Sequence, residues 1–210
     1  MRRGYGRLVW CGVFLVSFTS LSLNAQGGAR SDSSAFDRYT GCKFSDGLTV
    51  VETAPLTPGI HERTVDTFKG PQQVPMVEGR RVMFAYPGKE FYANVKVEIL
   101  PEKDYAKTRE IVIDNFDHIL ASGGGTTRNY GLKATLNGLD ARGLDREKLE
   151  GGVLGIYLLL DDTSRILTTI YFLNQEPEGR SFQTMEEYRV ARDRFLDTYS
   201  ACAGGRRSGS

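Results

Sequence analysis

Apolar and polar positions alternate most regularly between residues 82 and 99. Val82, Phe84 and Tyr86 share one face, Pro87-Gly88 turns the chain, and Phe91, Ala93, Val95, Val97 and Ile99 then alternate with Tyr92, Asn94, Lys96 and Glu98. A period of two with one apolar face predicts a hairpin buried on one side. Pro101 stops the second strand, and Glu102 and Asp104 suit the first turn of a helix, where the backbone dipole favours negative charge. Tyr105, Val112, Phe116, Ile119 and Leu120 fall on one side of that helix, and Gly123 ends it.

The following strand sets Tyr130, Leu132, Ala134 and Leu136 against Lys133, Thr135 and Asn137. After a Gly-rich connection, residues 153–160 and 166–173 are apolar on both faces, with a turn at Asp161-Asp162-Thr163-Ser164 between them. Strands of that kind belong inside a sheet covered on both sides. One cover is the last helix, where Thr184 and Glu187 form a capping box and Tyr188, Ala191, Phe195, Tyr199 and Cys202 follow at helical spacing. Weaker β-rich runs at 48–52 and 63–68 flank a loop carrying Pro55, Pro58 and Gly59. Proline there stiffens a loop, although Pro-x-x-Pro is also the spacing of a docking peptide. The pattern predicts one α+β domain over residues 39–202, an antiparallel sheet sandwiched between helices. Residues 26–38 read as a flexible lead-in and residues 203–210 as a disordered tail.

Composition alters this picture at the N-terminus. Arg2, Arg3 and Arg7 precede an apolar stretch from Leu8 to Leu23 and a small residue at Ala25, with no acidic side chain among residues 1–25. That is the pattern of a secretory signal peptide cleaved after Ala25, and it predicts a periplasmic or extracellular protein. The rival, an uncleaved anchor, needs about 20 apolar residues, and this stretch is shorter and contains Ser17, Thr19, Ser20 and Ser22. Arg2-Arg3 also loosely matches a twin-arginine signal. Taking three arginines and no acid from 27 basic and 26 acidic residues leaves the mature chain near −2. That balance argues against a nucleic-acid partner. Cys11 leaves with the signal, so Cys42 and Cys202 remain as an even pair and predict one disulfide in an oxidising compartment. It would close a loop of about 160 residues, for which the chain-entropy account allows up to about 5 kcal/mol.

The element order from residue 80 to 202 resembles the PsbP-like superfamily, which includes the extrinsic photosystem protein, the Ran-binding Mog proteins and exported bacterial proteins. The stretches that carry the resemblance are Arg81-Val82-Met83-Phe84-Ala85-Tyr86-Pro87, Ile170-Tyr171-Phe172-Leu173-Asn174 and the helix from Glu187-Tyr188 to Tyr199. It implies an α/β/α sandwich and roles in protein docking, and no functional residue of that family maps onto a position here.

Candidate chemistry is sparse. Ser122-Gly123-Gly124-Gly125-Thr126-Thr127 follows a helix instead of preceding one, so it reads as a C-cap and loop, not as a phosphate cradle. His61-Glu62-Arg63 is the densest polar trio in an irregular region; a histidine beside a carboxylate suits a base or ligand, and an exposed charged loop is the alternative. His118 sits in the last turn of a helix, where carbonyls welcome it. Asp161-Asp162 matches a turn that aspartate bonds through its own backbone, and it lacks the spaced oxygens of a calcium loop. No metal or cofactor is implied. The sequence therefore predicts an exported, non-enzymatic module that binds an unknown protein or small molecule through a sheet edge, a helix face or the proline-bearing loop of residues 53–79, and is not integral to the membrane after cleavage. The competing classes are an enzyme whose site gathers scattered polar residues around His61 and a structural envelope component.

Overall fold

The computed structural model describes residues 33–44, 48–55, 61–76, 78–86, 91–121, 130–146, 149, 152–174 and 182–205. The expectations for the signal peptide, Pro58, the glycine run at 122–127 and residues 206–210 lie outside these. In chain order the elements are α1 (Ser33–Thr40), β1 (Thr49–Pro55), β2 (His61–Thr67), β3 (Gly70–Met76), β4 (Glu78–Ala85) and β5 (Phe91–Ile99). A 3₁₀ turn (Glu102–Asp104) then leads into α2 (Tyr105–Ala121), β6 (Tyr130–Leu136), β7 (Leu139–Asp145), β8 (Gly152–Asp161), β9 (Ile166–Asn174) and α3 (Met185–Ala203).

Among the described residues, seven strands form one antiparallel sheet in the order β1-β4-β5-β9-β8-β7-β6. The two segments apolar on both faces, β8 and β9, are interior strands with a helical layer on each side, as their composition requires. Strand parity assigns the layers. Val82, Phe84, Ala93, Val95, Val97, Tyr157, Leu159, Ile170 and Phe172 pack with Phe36 and Tyr39 of α1 and with Tyr188, Phe195 and Tyr199 of α3. The other face offers Leu158, Leu160 and Leu167 to Val112 and Phe116 of α2. The fold is an α+β domain with an antiparallel sheet between helices.

Four local expectations need correction. Residues 33–38 are not a flexible lead-in but most of α1, because Phe36 and Tyr39 fall one helical turn apart and both enter the core. The trio His61-Glu62-Arg63 is not a loop: its backbone opens β2, where 61, 62 and 63 pair with Met76, Pro75 and Val74. Residues 70–76, inside the proline-bearing stretch 53–79 expected as a loop, form the partner strand β3. A further strand, β7, occupies the stretch that its glycines predict to be a connection. Asn137 (φ 50°) and Gly138 (φ 87°) make the positive-φ turn joining β6 to β7, the sequence signal for a two-residue hairpin.

Cys42 and Cys202 are disulfide-bonded with Cα atoms 5.8 Å apart, joining the segment after α1 to the end of α3. The capping box at α3 is present with one change. Thr184 Oγ1 accepts the Glu187 N–H at 3.2 Å, while the Glu187 carboxylate takes the N–H of Gln183, one residue before the cap.

Candidate functional site

β2 and β3 form a two-stranded ribbon apart from the main sheet. Its register puts positions 61, 63, 65, 72 and 74 on one face and positions 62, 64, 66, 71 and 73 on the other. The first face is the inner one, with Val74 only 1 % exposed and Val65 buried, whereas Thr64, Asp66, Pro71 and Gln73 are exposed. Positions 61 and 62 therefore belong to opposite faces of the ribbon.

The ribbon turn is built by its own residues. Thr67 Oγ1 donates to the Gly70 carbonyl at 2.7 Å and accepts the Lys69 N–H at 3.2 Å, while Gly70 adopts φ +96°, open to glycine without strain. Asn115 of α2 fixes the turn from below: its Oδ1 accepts the Phe68 N–H at 3.0 Å and its Nδ2 donates to the Asp66 carbonyl at 3.2 Å. Asn115 is 5 % exposed, so one buried amide satisfies two backbone groups of the ribbon. The Phe68 ring, 46 % exposed, stacks on His118 at 4.0 Å with Lys69 Nζ 5.0 Å from its centre. Lys69 Nζ also lies 3.7 Å from Asp114.

Between turn and helix runs an open groove of about 270 Å³. Thr67, Phe68, Lys69 and Gln72 form one wall; Lys107, Glu110, Ile111 and Asp114 form the other. The helical residues recur at three and four, so a single stripe of α2 supplies an apolar floor at Ile111 flanked by both signs of charge. This arrangement suits non-covalent recognition of a partly apolar segment carrying charge.

Two ionic networks frame the groove's helix and the opposite layer. On the α2 side, Asp117 accepts from Lys133 at 2.7 Å and Arg142 at 3.0 Å, Arg142 reaches Asp140, and Arg109 bridges Asp140 and Asp162, each at 2.8 Å. Burial pushes the Asp117 carboxyl up, but Lys133 and Arg142 more than reverse this and hold it below its ordinary value. On the α1/α3 side, Asp145 is 0 % exposed and accepts from Tyr157 at 2.6 Å, Tyr188 at 2.8 Å and Arg192. Burial raises its carboxyl above the ordinary value against the pull of those donors.

Two glycines make room for that centre. A Cβ on Gly143 would lie 2.1 Å from the Tyr157 ring, and one on Gly155 would lie 2.3 Å from the Tyr188 hydroxyl and 2.5 Å from Asp145 Oδ1. Sequence reasoning passed over Asp145, because Tyr157 and Tyr188 score as apolar positions and their hydroxyls give no local sign of a distant partner. It also missed Asn115 and Phe68. The available signal was a polar Asn115 in phase with Val112 and Phe116 on the buried side of α2.

The remaining candidates are placed as follows. Asp161 bonds its own turn as expected, with Oδ1 accepting the N–H groups of Thr163 and Ser164 at 3.0 Å each. Asp162 instead reaches Tyr105 and Arg109 on α2. Among the described residues, no three of His, Cys, Asp and Glu gather as a metal site, and no helix is long and apolar enough to cross a membrane. No protein-family model matches this chain, and no curated protein matches it.

Proposed function

We propose that this chain is an exported binding module whose recognition surface is the groove between the ribbon turn and α2. The observation that carries the reading is the groove itself: an aliphatic floor at Ile111, an aromatic edge at Phe68, and Lys107 and Glu110 presented from one helical stripe. Export is supported by the arginine-led apolar stretch from Leu8 to Leu23 with Ala25 after it, and by the disulfide, a bond suited to an oxidising compartment. The sheet sandwiched between helices supports the PsbP-like reading of the fold.

A photo-crosslinking residue placed at Glu110 is expected to capture a partner in the envelope fraction, and one placed at exposed Asp197 on α3 is expected not to. Equal capture at both positions, or capture at Asp197 alone, rejects the groove. Mass analysis of exported protein should find Gln26 as the first residue, and retained Met1 rejects cleavage.

A further inference from the structure

The turn between β8 and β9 holds two consecutive aspartates, and strand alternation sends them to opposite faces of the sheet. Asp161 ends β8 on the α1/α3 side. Its Oδ2 accepts the Tyr39 hydroxyl at 2.5 Å and Arg38 Nη2 at 2.9 Å. Its Oδ1 accepts the two turn N–H groups of Thr163 and Ser164. One carboxylate thus grips α1 with one oxygen and shapes the turn backbone with the other.

Asp162 faces the other layer, where its Oδ1 accepts from the Tyr105 hydroxyl and from Arg109 Nε. Arg165 closes the turn at φ +56°; its carbonyl accepts the Leu100 N–H at 3.0 Å and its guanidinium lies 3.7 Å from Glu102. The whole approach to α2, from Leu100 to Arg109, is therefore attached to the turn that Asp161 shapes. Lys107, Glu110 and Ile111 of the groove stand within one helical turn of Arg109.

We propose that the β8–β9 turn is a mechanical relay, by which the docking of α1 on Asp161 sets the first half of α2 and with it the groove. With α1 seated, Tyr39 and Arg38 fix one oxygen and so orient the other on Thr163 and Ser164. With α1 lifted, the carboxylate loses both outer donors and rotates, the turn loosens, and Asp162 and Arg165 release the start of α2. The element that moves in this relay is α1, an eight-residue helix seated in the core by Phe36 and Tyr39 and fastened near its end by Cys42. The relay stands on these contacts alone, while its consequence for binding rests on the groove being the recognition surface.

Hydrogen exchange on the full oxidised chain tests it. Tyr39→Phe removes the short bond to Asp161 and keeps the ring, and it should speed exchange in both α1 and residues 100–112 by about twofold or more. Arg38→Ala should reproduce the pattern, and because coupling is reciprocal, Tyr105→Phe should speed exchange in α1. Protection in the middle of α3 should hold in all three variants. Faster exchange confined to α1 in both Tyr39→Phe and Arg38→Ala, or equal acceleration everywhere, overturns the relay. An α2 response without any crosslink from Glu110 retains the relay and overturns only the binding reading.

Discussion

The two faces of the sheet solve the same problem, attaching helices, in opposite ways. On the α1/α3 face, rings of Phe84, Phe172, Tyr188, Phe195 and Tyr199 pack at centroid separations of 5.4 to 6.5 Å, and the fully buried carboxylate of Asp145 gathers Tyr157, Tyr188 and Arg192. On the α2 face the apolar contact is a smaller, mainly aliphatic patch, and charge is spread along a partly buried ladder from Lys133 to Tyr105. The first arrangement concentrates dependence in a few groups that nothing else can replace. The second distributes it, so that each rung has a neighbour still holding on.

The sharpest break of that comparison is at Asp145. Asp145→Ala leaves two tyrosine hydroxyls and Arg192 facing a buried gap, and removing one partner of a buried pair costs about 3–5 kcal/mol. Denaturant titration should show this as a large fall in midpoint with an unchanged slope. A loss below about 1 kcal/mol, the scale of an exposed pair, would make the two faces equivalent.

Next in size is the staple on the same face. Cys42 packs into the aromatic core and ties α1 to α3. Replacing both cysteines by serine should cost about 2–5 kcal/mol, because the crosslink constrains the unfolded chain across a separation of 160 residues. Non-reducing peptide mapping of native protein should recover the linked pair, and two alkylatable thiols would refute it.

Acid should separate the nodes by sign. Burial raises the Asp161 carboxyl, but bonds from Tyr39, from the Ser164 backbone and from Arg38 outweigh it and hold it below the ordinary carboxylate value. A depressed carboxyl stabilises the fold above its unfolded pKa, and that contribution is lost as pH falls through the folded value. Asp145 is raised, so its charged form costs stability, and the cost is relieved as pH falls through its elevated value. Asp161→Asn should therefore lower the denaturation midpoint at neutral pH, with the gap to wild type narrowing below about pH 4. A gap constant across the acid range would show that Asp161 acts through shape alone.

What the sequence reveals follows from the same contrast. β5, β8, β9, α2 and α3 were legible because their stabilisation comes from periodic apolar burial, and periodicity is written locally. β7 was not: Leu139-Asp140-Ala141-Arg142-Gly143-Leu144-Asp145 buries two charged residues and uses a glycine as space for Tyr157, so its apolar alternation is broken by design of the contacts above it. Asn137-Gly138, a dipeptide that suits a two-residue hairpin, was the local signal left unread. The ribbon was half legible, since β3 carries two prolines and two glutamines and pairs only with β2. The groove was hidden for a further reason: its walls are joined through Asn115, 47 residues from Phe68, and nothing near either residue points to the other.

The smallest expected effect is the most discriminating for the α2 face. Lys133 is 62 % exposed and bonds Asp117 at 2.7 Å, a geometry that looks strong in isolation. Asp117 keeps Arg142 when the lysine is removed, and Arg142 is only 9 % exposed and also held by Asp140. Lys133→Ala should thus change stability by no more than about 0.5 kcal/mol, and that small change should vanish in about 1 M salt, where screening acts within about 3 Å. Asp145→Ala should keep most of its cost in the same salt, since Asp145, Tyr157 and Tyr188 are buried and Arg192 is only 14 % exposed. A Lys133 effect that is large and salt-resistant would mean the ladder is a buried network in disguise, and the distinction between concentrated and distributed attachment would fall.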